Sequence, residues 1–430
     1  MKKAQIERRT LLTGGAAIAA AMTLPLARVI ARAASELPRV ALPPPIGTAE
    51  RLDRIAKARR LMQRNGIGAI IVEPGSSLDY LTGVQWHRSE RLTAAVIPAI
   101  GDPIVVTPFF ERPSVAETLA IPAQIRTWNE DQEPLKLVAD FLRERGVAGA
   151  PVGFEETDRY FIFDRLAQQL PGLKAVNANP VVRALRLIKS PAELALMQTA
   201  NDITLRAMRH AAERARPGMT PQDFGAAIDA ATTAMGGSPE FALVLIDEAS
   251  ALPHGSNKLQ LAKRGSTILF DCGCSLHGYQ SDISRTFVFG SDPTAEQRKV
   301  WNQVREGQRI AIRAAKIGAP AGSVDDAVRA AYEGWGYGPG YKLPGLSHRT
   351  GHGIGMDGHE PAYLVHGDMT PLEPGMCFSD EPGIYIPGKF GVRLEDCWHM
   401  TENGPKFFTE PPPSIDRPFD QGASGMRERR

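Results

Sequence analysis

A chain of 430 residues, 43% hydrophobic and 23% charged with a mean hydropathy of −0.20, is too long for one ordinary domain and comfortable for two. Its formal net charge of +2 gives no reason to expect nucleic acid or anionic lipid as a partner, and four cysteines are too few for a disulfide framework. No low-complexity block or repeat of solenoid period interrupts it.

Residues 1–33 read as an export signal. Lys2, Lys3, Arg8 and Arg9 form a basic start, and Leu11 to Leu26 an Ala/Gly-rich apolar run too short to span a membrane well. Ala31-Arg32-Ala33 supplies a cleavage site. Arg8-Arg9 directly before Thr10-Leu11-Leu12 is a twin-arginine address, the route for folded proteins, and predicts a periplasmic or extracytoplasmic location without a stable membrane anchor. Cleavage after Ala33 removes six basic residues and one acidic, leaving 44 against 47, a net charge of −3.

Residues 34–48 are an extended Pro-rich lead-in. Thr48 can cap a helix whose apolar stripe is Leu52, Ile55, Ala56 and Met62, ending at Asn65-Gly66. A strand over 69–72 and a hairpin over 94–100 and 104–107 follow, and helical and strand-like stretches then alternate through Phe154 and Val176. Residues 49–188 thus form an α/β domain with no obvious catalytic set. Ser190-Pro191-Ala192-Glu193 is a capping box that opens a long helix, predicted to reach about Arg216. Thr220-Pro221 starts the next. Strands are predicted at 241–246, 266–271 and 283–289, and helices at about 294–316 and 323–333. The second domain spans 189–412, and 413–430 is a C-terminal tail.

Chemistry concentrates in five short segments of the second domain: F-D-C-G, S-D-I-S-R-T, T-G-H-G-I-G-M-D-G-H-E, S-D-E-P-G-I-Y and V-R-L-E-D. They carry Asp271, Asp282, His352, Glu381 and Glu395. Four carboxylates gathered in a folded core repel one another and would not all ionise near neutral pH, a conflict that two divalent cations remove. Hard oxygen ligands with one imidazole suit Mn, Co, Fe or Zn, and a pair of ions sharing carboxylates activates water. The set predicts a two-metal hydrolase, with Mn the foremost candidate.

In these segments the chain resembles the pita-bread metallopeptidases: methionine aminopeptidase, prolidase and aminopeptidase P. The match covers roughly 190–412, and a weaker one to the N-terminal domain of the prolidase and creatinase branch covers about 49–188. The spacings from Asp271 to Asp282, His352 to His359 and Glu381 to Glu395 are similar to the family's. The resemblance implies an α/β creatinase-like domain followed by an α+β pita-bread catalytic domain. It implies that Asp271 chelates one metal, Asp282 and Glu395 bridge both, and His352 and Glu381 complete the second. It further implies Glu381 as proton carrier, His359 as oxyanion donor and His254 as holder of a carbonyl on the leaving-group side. His348, Tyr385 and Arg393 would support the site or contact substrate, and the assembly would be a homodimer or larger homo-oligomer.

The implied activity is removal of an N-terminal residue from Xaa-Pro peptides. Three relatives of the same fold compete: a metal-free creatinase, an ectoine hydrolase, and a dimethylsulfoniopropionate lyase whose branch carries an extra Asp where this chain has Gly273. A peptide-binding module with a dead site is a fourth reading. Cys377 and Cys397 could pair after export; buried free thiols are the plainer expectation.

Overall fold

The computed structural model describes residues 37–421, so the predicted export signal lies outside the described residues. Among them no helix is long and apolar enough to cross a membrane. Two compact units form: Pro44–Glu193 together with Gly355–Asp357, and the remainder.

The first unit runs α1 (Thr48–Arg64), β1 (Ala69–Val72), α2 (Ser76–Thr82), β2 (Ala94–Pro98), β3 (Ile104–Pro108), α3 (Arg112–Thr118), β4 (Gln124–Trp128), α4 (Pro134–Glu144), β5 (Val152–Phe154), α5 (Tyr160–Gln169), β6 (Ala175–Asn177) and α6 (Asn179–Arg186). Its six-stranded sheet has the order β4-β3-β2-β1-β5-β6, with β1, β2 and β3 antiparallel and the outer pairs parallel. The central strands read A-I-I-V, A-A-V-I-P and I-V-V-T-P because both faces are covered, leaving no reason for polar alternation.

Two sequence expectations for α1 fail. Gly47, not Thr48, is its N-cap, and Leu52 is 44% exposed. The buried face is Arg51, Arg54, Ile55, Ala58 and Met62. Arg54 lies 3.9 Å over the Tyr80 ring and donates to the Tyr80 carbonyl, and Arg51 donates to Asp79 at 3.0 Å. Apolarity alone misses such a face, since guanidinium stems pack while their heads find acceptors.

Asp158, between β5 and α5, has a buried Oδ1 without a hydrogen-bond partner. Burial, then the neighbouring Glu155, raises its pKa from 3.8 to about 7. The folded chain therefore binds more protons here than the unfolded chain between those values, so this contribution to stability is present at low pH and lost as pH rises through about 7. Asp158→Asn keeps the acceptor for Glu155 N–H and should raise the thermal midpoint more at pH 8 than at pH 5. Equal shifts at both values would contradict this.

The second unit continues with α7 (Pro191–Glu213), α8 (Pro221–Met235), β7 (Ser238–Ile246), β8 (Thr267–Leu276), β9 (Tyr279–Gln280), β10 (Ile283–Val288), α9 (Ala295–Ala314) and α10 (Gly322–Gly334). Then come β11 (Gly351–Gly353), β12 (Glu360–Leu364), β13 (Cys377–Asp380), β14 (Gly383–Ile386), β15 (Phe390–Arg393), β16 (Asp396–Thr401) and β17 (Gly404–Phe407). The capping box opens α7 as read: Ser190 N–H donates to Glu193 at 2.7 Å, and Glu193 N–H to Ser190 Oγ at 3.3 Å. The helix stops at Glu213, short of Arg216. Thr220 and Asp223 make a second capping box for α8.

One sheet has the order β10-β8-β7 with β9 beside β8, and another β12-β11-β13-β16-β17; β14 and β15 pair separately. Strand β8 extends five residues past the predicted end at Asp271, because it is central and paired along both sides. Asp271 is therefore mid-strand, where its backbone is held from two directions. All four cysteines are buried free thiols; the strand partner of Cys397 is Ser379, and that of Cys377 is His399. Residues 413–421 pack back onto the unit, with Phe419 8% exposed, 5.5 Å from the Phe287 ring and 6.4 Å from Phe270.

Candidate metal centre

The five predicted ligands converge from both sheets. Possible ligand atoms of Asp271, Asp282 and Glu395 lie within 4.8 Å of one another, as do those of His352, Glu381 and Glu395, and those of Asp282, His352 and His359. Asp282 immediately precedes β10, Glu381 immediately follows β13, and Glu395 lies between β15 and β16. Backbone bonds between Ser284 and Glu395, 3.0 and 3.3 Å, join the two sheets beneath the carboxylates. Behind them Arg285 and Asp396, both fully buried, pair at 2.6 Å, and Arg285 also donates to the Glu395 carbonyl at 2.8 Å.

His352 sits between two glycines because its strand is crowded. A Cβ at Gly351 would collide with the Ser379 carbonyl, and one at Gly353 with the Glu360 carbonyl. His352 N–H donates to Ser379 Oγ at 3.0 Å. Its Nδ1 lies 3.0 Å from the Gly353 carbonyl, which can only accept, so the proton is on Nδ1. The Nε2 lone pair then faces Glu381 at 3.4 Å and Asp282 at 3.7 Å. Burial, reinforced by His359, lowers its pKa to about 3, so these contacts are not ion pairs; the neutral ring is the form that binds metal.

The carboxylates show the opposite stress. Burial, then Asp271 and Glu381, raises Asp282 well above the ordinary range; burial, then Asp282, does the same to Glu395. Burial, with a contribution from Asp271, pushes Glu381 up to about 7. Asp282 Oδ1 and Glu395 Oε1 are buried without a hydrogen-bond partner. Unpartnered buried acceptors on mutually repelling acids are a costly arrangement for a protein alone, and they fit divalent cations.

The supporting residues form one network. Arg393 donates to Asp271, to Ser284 Oγ at 2.9 Å and to Tyr385 OH at 3.2 Å. Ser284 Oγ in turn lies 3.0 Å from Asp271 and 2.8 Å from Glu395. Tyr385 OH is 2.7 Å from His348 Nε2, while His348 Nδ1 meets the Arg349 carbonyl at 2.7 Å. Both nitrogens of His348 are thus engaged within the protein.

His359 stacks on His352 with ring centroids 3.7 Å apart. Its Nδ1 is 3.2 Å from Arg349 Nη2. A guanidinium only donates, so Nδ1 accepts and Nε2 carries the hydrogen. His254 is not gathered into the ligand group. It is exposed on the segment after β7 and lines a groove of about 990 Å³ with Leu243, Leu245, Lys258 and Gln260. Leu243 is the strand partner of Asp271.

Sequence reasoning missed Ser284 and Arg349. Ser284 was visible only as the serine two places after Asp282, and nothing in the sequence foretold that Arg349 would reach His359.

Comparison with known proteins places these features in context. The sequence profile of metallopeptidase family M24 matches residues 195–402, and that of the creatinase/prolidase N-terminal domain matches 54–188. The probable dipeptidase PepE of Mycobacterium tuberculosis (strain H37Rv) is 34% identical over 358 residues, 82% of this chain and 92% of that protein. The Xaa-Pro dipeptidase of Lactobacillus helveticus is 32% identical over 77% of this chain and 90% of its own length. Among solved structures, the dipeptidase PepE of Mycobacterium ulcerans superposes with a TM-score of 0.78 at 33% identity, covering 86% of this chain and 98% of that one. The Xaa-Pro dipeptidase of Bacillus anthracis gives 0.74 at 28% identity, covering 84% and 98%.

Proposed function

This chain belongs to metallopeptidase family M24, with a creatinase-type N-terminal domain before a pita-bread domain, and on that premise we propose that it is a dinuclear metallo-exopeptidase cleaving Xaa-Pro peptides. The observation that carries the reading is the convergence of Asp271, Asp282, His352, Glu381 and Glu395, with carboxylate oxygens buried and unpartnered. Asp282 and Glu395 each belong to two of the three groups, Asp282 to one with Asp271 and one with His352, and Glu395 to one with Asp271 and one with Glu381, so both would be shared between two ions, with Asp271 holding one and His352 with Glu381 the other. Divalent cations of the Mn, Co, Fe or Zn class held by these residues would supply Lewis acidity toward water and the scissile carbonyl.

The protein's own groups do the rest. Glu381 can take the proton of the attacking water and deliver it to the departing nitrogen. The Nε2–H of His359, oriented by Arg349, can donate to the developing oxyanion. His254, at the groove, can hold a carbonyl on the leaving-group side, and Arg393 with Tyr385 and His348 keeps the Asp271 carboxylate in place. Gly273 speaks against the lyase reading, because a Cβ there would strike the Phe241 ring and the Ser281 carbonyl. An added aspartate has no room.

The test is hydrolysis of Xaa-Pro dipeptides, Xaa-Pro-Yaa tripeptides and Xaa-Ala controls with Mn, Co and Zn added separately. Metal-dependent turnover of the proline substrates above the controls is expected; equal turnover of all three, or none, would sink the proposal.

We propose in addition that the protein is exported by the twin-arginine route and works in the periplasm, supported by Arg8-Arg9 ahead of the apolar run. Changing both arginines to lysine should strand the precursor in the cytoplasm, with the normal mature chain beginning at Ala34. Unchanged export of the double variant would contradict this.

A further inference from the structure

Helix α10 contributes no ligand, yet it holds a buried ion pair aimed at the site. Asp325 is fully buried and Arg329, one turn later, is 8% exposed; Arg329 Nε donates to Asp325 Oδ2 at 2.7 Å. The remaining capacity of both side chains goes to backbone groups and one hydroxyl of the segments around the site. Asp325 Oδ1 accepts from Thr350 N–H at 3.0 Å and Thr350 Oγ1 at 2.7 Å, and Oδ2 accepts from His366 N–H at 3.2 Å. Arg329 donates to the carbonyls of Gly340 and Leu346, each at 3.0 Å, and to that of His348.

The pinned segment leads straight into the chemistry. Thr350 is two residues before His352, and its carbonyl accepts from Glu381 N–H at 2.8 Å. One carboxylate thus fixes one residue, and that residue fixes the start of the His352 strand and the backbone of Glu381. Arg329 holds the His348 carbonyl from the other side. A buried ion pair is weak evidence of stabilisation, since two apolar residues of the same volume often serve as well. Its value here is directional: a planar guanidinium and a carboxylate can satisfy several fixed backbone groups at once, whereas apolar side chains satisfy none.

We infer that Asp325 and Arg329 are positioning residues that set the His352–Glu381 half of the metal centre, leaving the Asp271 half to the Arg393–Ser284 network. The inference rests on the dinuclear reading of the five ligands. Because outer partners that orient ligands typically account for 10–100-fold in metal affinity, the effect should be selective and large enough to measure.

The experiment is manganese titration by calorimetry on chelator-treated full-length protein, comparing wild type with Asp325→Ala, Asp325→Asn and Thr350→Val. Wild type should show two classes of bound manganese; absence of both would overturn the dinuclear reading and this inference with it. In Asp325→Ala the affinity of one class should fall 10–100-fold while the other stays within about twofold of wild type. Thr350→Val removes only the hydroxyl contact and should give a smaller loss in the same class. Asp325→Asn retains an acceptor oxygen for Thr350 and should recover part of the affinity. At saturating manganese, kcat of the variants should remain low with KM little changed. A merely structural role would lower both classes together with the thermal midpoint, and that result would overturn the assignment. Should Asp325→Ala fail to fold, Thr350→Val decides: wild-type affinity in both classes overturns it.

Discussion

Asp282→Asn is expected to bring the metal content below two ions per chain and turnover down by about 10³-fold or more. The estimate follows from the several kcal/mol that metal ions contribute to transition-state charge, at 1.36 kcal/mol per decade. Asp282 takes part in two of the ligand groups and has a buried oxygen that nothing else in the protein satisfies. Glu395→Gln should behave alike, since Glu395 also belongs to two groups and has an unpartnered buried oxygen. Stability should move in opposite directions with and without metal. In metal-free wild type the crowded acids resist ionisation, as the raised pKa values of Asp282 and Glu395 show. Removing one charge relieves that stress, so the metal-free variant should unfold at no lower temperature than metal-free wild type. With manganese added, wild type gains the linkage stabilisation and the variant much less. Metal analysis, calorimetric unfolding and peptide hydrolysis on the same samples check all three; a variant with full metal content and activity would refute the bridging role.

His359→Ala should separate metal binding from chemistry. The ring stacks on His352 and is tethered by Arg349 with its N–H left on Nε2, an arrangement suited to donation rather than proton abstraction. Loss of one such donor typically costs 10²–10³-fold in kcat. The variant should keep both metals and lower kcat and kcat/KM together, the mark of an interaction made only in the transition state. Glu381→Gln should lose turnover and weaken metal binding as well. If His359→Ala raises KM with kcat intact, the ring holds substrate; if it releases metal, His359 is a ligand, as its proximity to Asp282 and His352 permits.

The sequence made the candidate ligand residues legible for a physical reason. Three of them sit where a strand needs a small neighbour or a turn, and so carry a distinctive local wording: glycines on both sides of His352, Pro-Gly after Glu381, and Gly273, crowded by Phe241, two places after Asp271. The elements were legible where caps and periodicity acted locally, as in the capping box before α7 and the Thr220-Pro221 start of α8. What escaped notice acts through space. Asp325 meets Thr350 across 25 residues, and Arg349 meets His359 across 10. The buried face of α1 was misjudged because Arg51 and Arg54 pack like apolar residues once Asp79 and Tyr80 supply acceptors and a ring. The length of β8 was misjudged because a carboxylate in mid-strand looks like a strand end until the site it faces is known.

The central claim is a two-ion centre that hydrolyses the bond before proline. The most direct measurement is release of proline from an Xaa-Pro dipeptide by chelator-treated full-length protein, followed as manganese is added in known equivalents. Activity should be absent without metal, rise with each addition and level off at two equivalents per chain. Activity that persists after chelation, or that saturates at one equivalent, would contradict the account.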